Sequence, residues 1–394
     1  MAIWEELPVD LLVKIANRVK VMEDFIALRA VCTSWRVSIT NDDFDMFSPQ
    51  VPLLMLNATK DNKYHKYREF YSLSKKKVVR VFLPEARGRD CVSSEGWLCT
   101  MSCYRKKMNL LHPFSRTQIQ LPPLISLVVS LGVKIMSIGE ESLIQKVALS
   151  ASPCITSDYV LMVSVLIDHD NYLAFWRPGD RKWSRSNINT TIPTWGNATS
   201  IIYYNGQFYC VTCYGQLWVF DVVMESKSIH VKPRFVARVD GNIYPNKQYY
   251  RLVKTSNALL IVTKSSTHLR YKVSELDTFT GRLNNITNLG DSSIFLSNDD
   301  GGSIINCFEF RGVVKPNHIY FTDMWTYNIE DEKIEYFHPG PSSICPLTWV
   351  TPSFQHRHVT RKVYELHVIK GKLNKINTLG DSGVSLLACI LRKN

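Results

Sequence analysis

The sequence predicts a small all-α module of three short helices followed by a large all-β domain, a β-propeller. Three observations predict it. The texture of the chain changes near Asp42, from helical spacing to short apolar runs. Those runs continue for roughly 340 residues, too many for one sandwich, and radial repetition accommodates them. A segment near the C-terminus repeats one 90 positions earlier. The chain has 394 residues, 45% hydrophobic and 21% charged, the composition of a folded chain able to build a large core.

In the first 40 residues Asp10 is positioned to cap a helix whose apolar positions Leu11, Leu12, Ile15 and Val19 follow a 3.6 period. Asp24 is positioned to cap a second helix carrying Phe25, Ile26 and Leu28. Thr33 or Ser34 would cap a third, with Trp35 and Ile39 on one face. Three such helices bury too little surface to be stable alone, so the module needs a partner surface in this chain or another.

Beyond it, strands are expected at Val51–Leu56, Val78–Leu83, Val160–Ile167, Tyr172–Trp176, Gln207–Thr212, Gln216–Asp221 and Leu259–Thr263. Turn residues separate them, among them Gly88, Gly96, Asn205-Gly206, Gly215, Gly281 and Gly290. Trp176, Trp183, Trp195, Trp325, Trp349 and Tyr104 read mostly as blade core, and Trp218 as core of its strand.

Residues 273–296 and 363–386 share 12 of 24 positions without a gap, including Leu289-Gly290-Asp291 and Leu379-Gly380-Asp381. A blade occupies roughly 40–50 residues, so the shift is about two blades. Gly281 and Gly371 fit turns needing positive φ. The expected organisation is an α module at 1–42, a connection and first strand over 43–69, a β-propeller over 51–355, and an extension at 356–394 duplicating part of 266–304. The extension should lie outside a ring closed before it.

Forty-seven basic and 35 acidic residues leave a formal charge of +12. Residues 1–40 are neutral, and 356–394 hold eight basic residues against two acidic ones. The rest is a weak field, and no nucleic-acid partner is expected. No apolar stretch reaches 18 residues, so no membrane span is expected. No signal peptide can be drawn, and the ten cysteines have no framework spacing. They read as reduced thiols of a nuclear or cytoplasmic protein, and the Asn-x-Thr triplets at Asn57, Asn189, Asn197 and Asn285 read as chance.

Motifs of catalysis are absent, including phosphate loops, nucleophile elbows and zincin signatures. Cys210 and Cys213 lack a second pair. Asp168-His169-Asp170 reads as a hairpin turn, His356 and His358 have no ligand cluster, and Lys75–Lys77 and Arg105–Lys107 read as solvated turns. A non-catalytic protein without cofactor or metal is expected.

Leu7-Pro8-x-Asp10-Leu11-Leu12, Ile15, Arg18, Asp24, Leu28-Arg29-x-Val31-Cys32 and Trp35-Arg36 resemble the F-box in order and spacing. Residues 70–350 resemble a large plant F-box family whose C-terminal domain is taken to be a kelch-related β-propeller. The matching segments include Phe70–Leu73, Leu83–Arg87, Gly96-Trp97-Leu98, Leu111–Leu124, Gly215–Asp221 and Ile319–Asp323. The resemblance implies a Skp-type adaptor as partner and, through it, cullin and RING subunits. The chain would be the substrate-recognition subunit of a Skp–cullin–F-box ubiquitin ligase, with an unknown protein substrate on the propeller. The alternative is a β-propeller interaction protein with a vestigial or cullin-independent F-box.

An amphipathic helix docks through a few apolar anchors. The expected adaptor-binding residues are Leu7, Pro8, Leu11, Ile15, Leu28, Val31 and Trp35, with Trp35 the main anchor because a large aromatic buries most area. Leu12 and Cys32 read as internal core. No substrate-binding residue can be assigned.

Overall fold

The computed structural model describes residues 7–45, 48–56, 66–102, 107–123, 125–127, 143–167, 170–185, 197–224, 229–239, 249–264, 270–297, 301–337, 346–353, 364–365 and 374–375. Three helices, α1 (Val9–Ala16), α2 (Met22–Arg29) and α3 (Thr33–Ser38), precede an all-β ring.

None of the three helix caps is the expected residue. Pro8 occupies the cap of α1, and its carbonyl accepts from Leu11 N and Leu12 N at 3.0 Å. The fixed φ of proline ends the extended chain there, so Asp10 falls in the first turn, where its charge complements the helix dipole. Val21 precedes α2, with Asp24 inside the first turn. Cys32, not Thr33 or Ser34, caps α3, its Sγ accepting from Trp35 N at 3.4 Å. The helices enclose a core of Leu12, Ala16, Met22, Phe25, Trp35, Ile39 and Phe44. Phe25 and Phe44 meet edge to face at 5.0 Å.

The described residues form a ring of six blades. The first contains β1 (Leu53–Leu56), β2 (Tyr67–Ser72) and β3 (Lys77–Phe82). The second is β4 (Arg89–Ser94), β5 (Trp97–Ser102), β6 (Met108–Leu111) and β7 (Gln118–Gln120). The third is β8 (Leu143–Leu149), β9 (Leu161–Ile167), β10 (Asp170–Trp176) and β11 (Ser184–Arg185). The fourth is β12 (Ala198–Tyr204), β13 (Gln207–Thr212), β14 (Gln216–Met224) and β15 (Ile229–Arg238). The fifth is β16 (Tyr250–Lys254), β17 (Leu259–Lys264), β18 (Tyr271–Leu276) and β19 (Leu283–Ile286). Each of these five is an antiparallel sheet.

The sixth blade departs from that pattern. It contains β20 (Ser292–Leu296), β21 (Gly302–Asn306), β22 (His318–Phe321), β23 (Trp325–Asn328) and β24 (Ile334–Tyr336). Strand β21 turns back antiparallel on β20 and lies at the inner edge, so β22 pairs with β20 in parallel. At that edge β21 also pairs with β16, Val253 opposite Gly302, joining blades five and six into one nine-stranded sheet. The last ring strand, β25 (Pro346–Val350), pairs antiparallel with β1, Leu54 opposite Trp349, and completes the first blade. The ring is thus closed between its first and last strands.

Every gap between neighbouring blades holds one apolar layer. Val163 and Val165 of β9 enter the layer shared with blade two, while Met162 enters the layer shared with blade four. Burial on both faces explains why 160–167 reads as a continuous apolar run instead of alternating. Asn205-Gly206, both at positive φ, turns β12 into β13.

Serine hydroxyls satisfy backbone groups where inner strands meet across blades. Ser94 Oγ accepts from Leu149 N at 3.0 Å, Ser200 Oγ from Leu252 N at 3.1 Å, and Ser297 Oγ from Trp349 N at 3.0 Å. Ser93 Oγ donates to the Trp349 carbonyl at 2.7 Å. Inner edges otherwise present unpaired polar backbone, which is costly to bury.

In the extension, β26 (Tyr364–Glu365) and β27 (Asn374–Lys375) form a separate two-stranded sheet. Tyr364 faces Lys375 and Glu365 faces Asn374. Ninety positions earlier Ser274 faces Asn285 and Glu275 faces Asn284, so the copy keeps the register of β18 and β19. Gly281 takes φ +72°, as its turn requires; Gly371 lies outside the described residues.

Candidate functional site

In α1, Leu12 and Ala16 point into the module core, while Leu11 and Ile15, also one turn apart, lie on the solvent side. Leu11 is 43% and Ile15 42% exposed. Pro8 is exposed at the start of the same helix, and Val31 is 56% exposed between α2 and α3. Leu7 and Leu28 are half-buried and rest against the module core. Trp35 departs from the expectation. It is 6% exposed and belongs to that core, because α3 turns it inward beneath the Cys32 cap.

Three further large apolar residues reach solvent on these helices: Val9 on α1, Ile26 on α2 and Val37 on α3. The sequence signal was present, since each is apolar at a position off the core stripe. A short helix carrying both an inward and an outward apolar stripe is suited to a second contact surface.

The module sits beside one mouth of the ring's axial cavity, a space of about 400 Å³. Inner strands supply its wall, including Ser93, Leu149, Ile201, Lys254 and Trp349, and Ser48 to Gln50 line it from the connection. Glu95, in the turn after β4, forms an ion pair with Lys254 at the end of β16. Blades two and five stand opposite each other in a ring of six, so this pair crosses the mouth.

The polar groups of the second blade are structural in their bonding. His112 is fully buried, with Nδ1 accepting from Ser115 N at 3.0 Å and Nε2 facing Ser353 Oγ at 3.1 Å. Burial pushes its pKa down to about 4, so the ring is neutral with its proton on Nε2.

Cys210 lies in β13 and Cys213 one residue beyond it. Both are free thiols, and burial pushes both pKa values up. Among the described residues no group of three or more potential ligands is gathered for a metal ion. Strand β10 begins at Asp170 opposite Ile167, and Asp168 and His169, expected in a hairpin turn, lie outside the described residues. Lys75 and Lys76 lie in the turn before β3. Arg105, Lys106, His356 and His358 lie outside the described residues. Trp176, Trp183 and Trp349 are buried between blades, and Trp218 and Trp325 are half-buried. Tyr104 and Trp195 lie outside the described residues. Among the described residues no helix is long and apolar enough to cross a membrane.

A three-helix module with an outward apolar face is joined to a closed propeller. Comparison with known proteins agrees: residues 4–47 match the F-box domain, and residues 70–340 match the KIB1-4 beta-propeller. The chain belongs to the KIB1-4 beta-propeller family and is of the plant F-box type with a C-terminal propeller. A putative F-box protein of Arabidopsis thaliana is 22% identical over 377 residues, covering 89% of this chain and 97% of its own. A second is 24% identical over 373 residues, covering 88% and 94%. An F-box/kelch-repeat protein of the same plant is 25% identical over 227 residues, covering 56% of each.

Proposed function

We propose that this protein is the substrate-recognition subunit of a Skp–cullin–F-box ubiquitin ligase. The observation that carries this reading is the solvent-facing apolar set on the F-box helices, Leu11, Ile15 and Val31 with Val9, Ile26 and Val37. Isolated apolar side chains need no explanation, but six on one small module of a recognition domain suit helix docking in a partner's groove. The Skp-type adaptor occupies that face and brings cullin and RING subunits. The propeller holds the protein to be ubiquitinated, and transfer chemistry belongs to the recruited subunits. Ten cysteines without framework spacing suit a nuclear or cytoplasmic setting.

Affinity purification of the tagged full chain tests this. Recovery of both a Skp-type adaptor and a cullin is expected. A triple Leu11→Ala, Ile15→Ala, Val31→Ala variant is expected to lose both while keeping the melting transition of the parent. Recovery of the adaptor without any cullin would overturn the ligase role, and undiminished recovery by the triple variant would overturn the docking face.

A further inference from the structure

We propose that the propeller itself holds the F-box folded, so that the docking face is preformed before any adaptor arrives. Gln50, Ser72, Lys75 and Phe114 are the positioning residues. The proposal relies on the preceding reading only for what docks.

The helices have eight, eight and six residues. Isolated helices shorter than about 12–15 residues are marginal in water, and a domain below about 40 residues is rarely self-sufficient. The core of the module is seven buried side chains. Its order therefore depends on a neighbour, and the chain supplies one.

Helix α2 has no side-chain cap from its own flanking residue. Its first amide, Met22 N, donates to Gln50 Oε1 at 2.8 Å, a cap delivered from 28 residues away. Gln50 Nε2 donates in turn to the Lys20 carbonyl at 2.7 Å and the Ser48 carbonyl at 3.1 Å. Ser48 Oγ also donates to the Lys20 carbonyl at 3.1 Å. Gln50 directly precedes Val51, whose side chain belongs to the apolar layer between blades six and one. The cap is therefore anchored in the ring.

Two more contacts fix the same helix. Ser72 Oγ, at the end of β2, donates to Glu23 Oε2 at 2.9 Å. Lys75, in the following turn, pairs with Asp24 at 3.2 Å. A fourth contact is apolar: Phe114 packs against both the module core and the layer between blades one and two, with its ring 6.3 Å from that of Phe70. Contacts to the connection, the first blade and the second blade leave one orientation for the helices.

A preformed face avoids the ordering cost that a disordered segment meets on binding. The adaptor then meets Leu11, Ile15 and Val31 already in place.

Hydrogen exchange read by mass spectrometry on the full chain, with no adaptor present, tests this. Amides of residues 9–39 should exchange at least about 100-fold more slowly than an unstructured peptide. Gln50→Ala should lose most of that protection while β9 and β10 keep theirs. Ser72→Ala with Lys75→Ala should lose part of it. These variants spare Phe114, which also serves the blades, so a general failure to fold is not the readout. Unprotected helices in the parent chain, or full protection in Gln50→Ala, would overturn the proposal. Since no adaptor is present, either result leaves the ligase reading standing.

Discussion

At the scale of single residues, Trp35 departs from the expected outward anchor, whereas Leu11 lies where its spacing placed it. Trp35 fills the module core, and Leu11 faces solvent. Trp35→Ala should therefore destabilise the module by about 3–5 kcal/mol, as buried aromatic truncations do. Leu11→Ala should leave stability within about 0.5 kcal/mol and weaken adaptor binding by about 1–3 kcal/mol. Exchange protection and titration with purified adaptor separate the two effects. His112 makes a second prediction. Its folded pKa, about 4, lies below the ordinary value of 6.5 because burial disfavours the charged ring. Its contribution is complete above pH 6.5 and is lost as the pH falls through 6.5 towards 4, in all about 3 kcal/mol. His112→Asn should flatten the fall of melting temperature between pH 7 and 4; an unchanged slope would mean that other groups carry it.

At the scale of elements, the duplicated extension is decided by what its copy kept and what it lost. It kept hairpin residues, with Leu366, Gly371 and Leu373 matching Leu276, Gly281 and Leu283. It lost residues by which the original joins the ring. Ser293, whose Oγ accepts from His318 N at 3.3 Å, is matched by Gly383. Phe295, stacked on Tyr320 at 4.7 Å and set against Trp349 at 5.1 Å, is matched by Ser385. The copy can form its hairpin but has lost these contacts needed to replace the original. Deleting residues 357–394 should lower the melting temperature by less than about 5 °C. Deletion from residue 346 onward removes β25 and should abolish the cooperative transition, since the first blade then exposes its inner edge. A comparable loss from the shorter deletion would show that the extension belongs to the ring.

At the scale of the whole molecule, stability is shared among six interblade layers and one helical core. The ring owns its six layers, whereas the helices lean on it through Gln50, Ser72, Lys75 and Phe114. The dependence is therefore unequal. Residues 41–394 made alone should keep their β-sheet signal and melt cooperatively, a few degrees lower because Phe114 loses its upper neighbours. Residues 1–46 made alone should be largely unfolded by circular dichroism. A stable isolated helical fragment would remove the need for support from the ring.

The sequence by itself determined the order of parts and most of the local structure. Strand β13 spans Gln207–Thr212 as expected, and Asn205-Gly206 turns into it, because a short apolar run and its turn chemistry are written in a few adjacent residues. The solvent-facing apolar positions Leu11, Ile15 and Val31 were legible as spacing. Tertiary structure alone decided the rest. Strand β14 runs on to Met224, past the expected end at Asp221, because Val222 to Met224 find partners in Ile229 to Val231 of β15. The inserted strand β21 depends on an edge of β16 about 50 residues earlier in the chain. Whether Trp35 faces inward is not set within a six-residue helix, and the cap of α2 lies 28 residues away. Such choices depend on which surfaces meet in space. Local periodicity carries no information about a partner that the chain reaches only after folding.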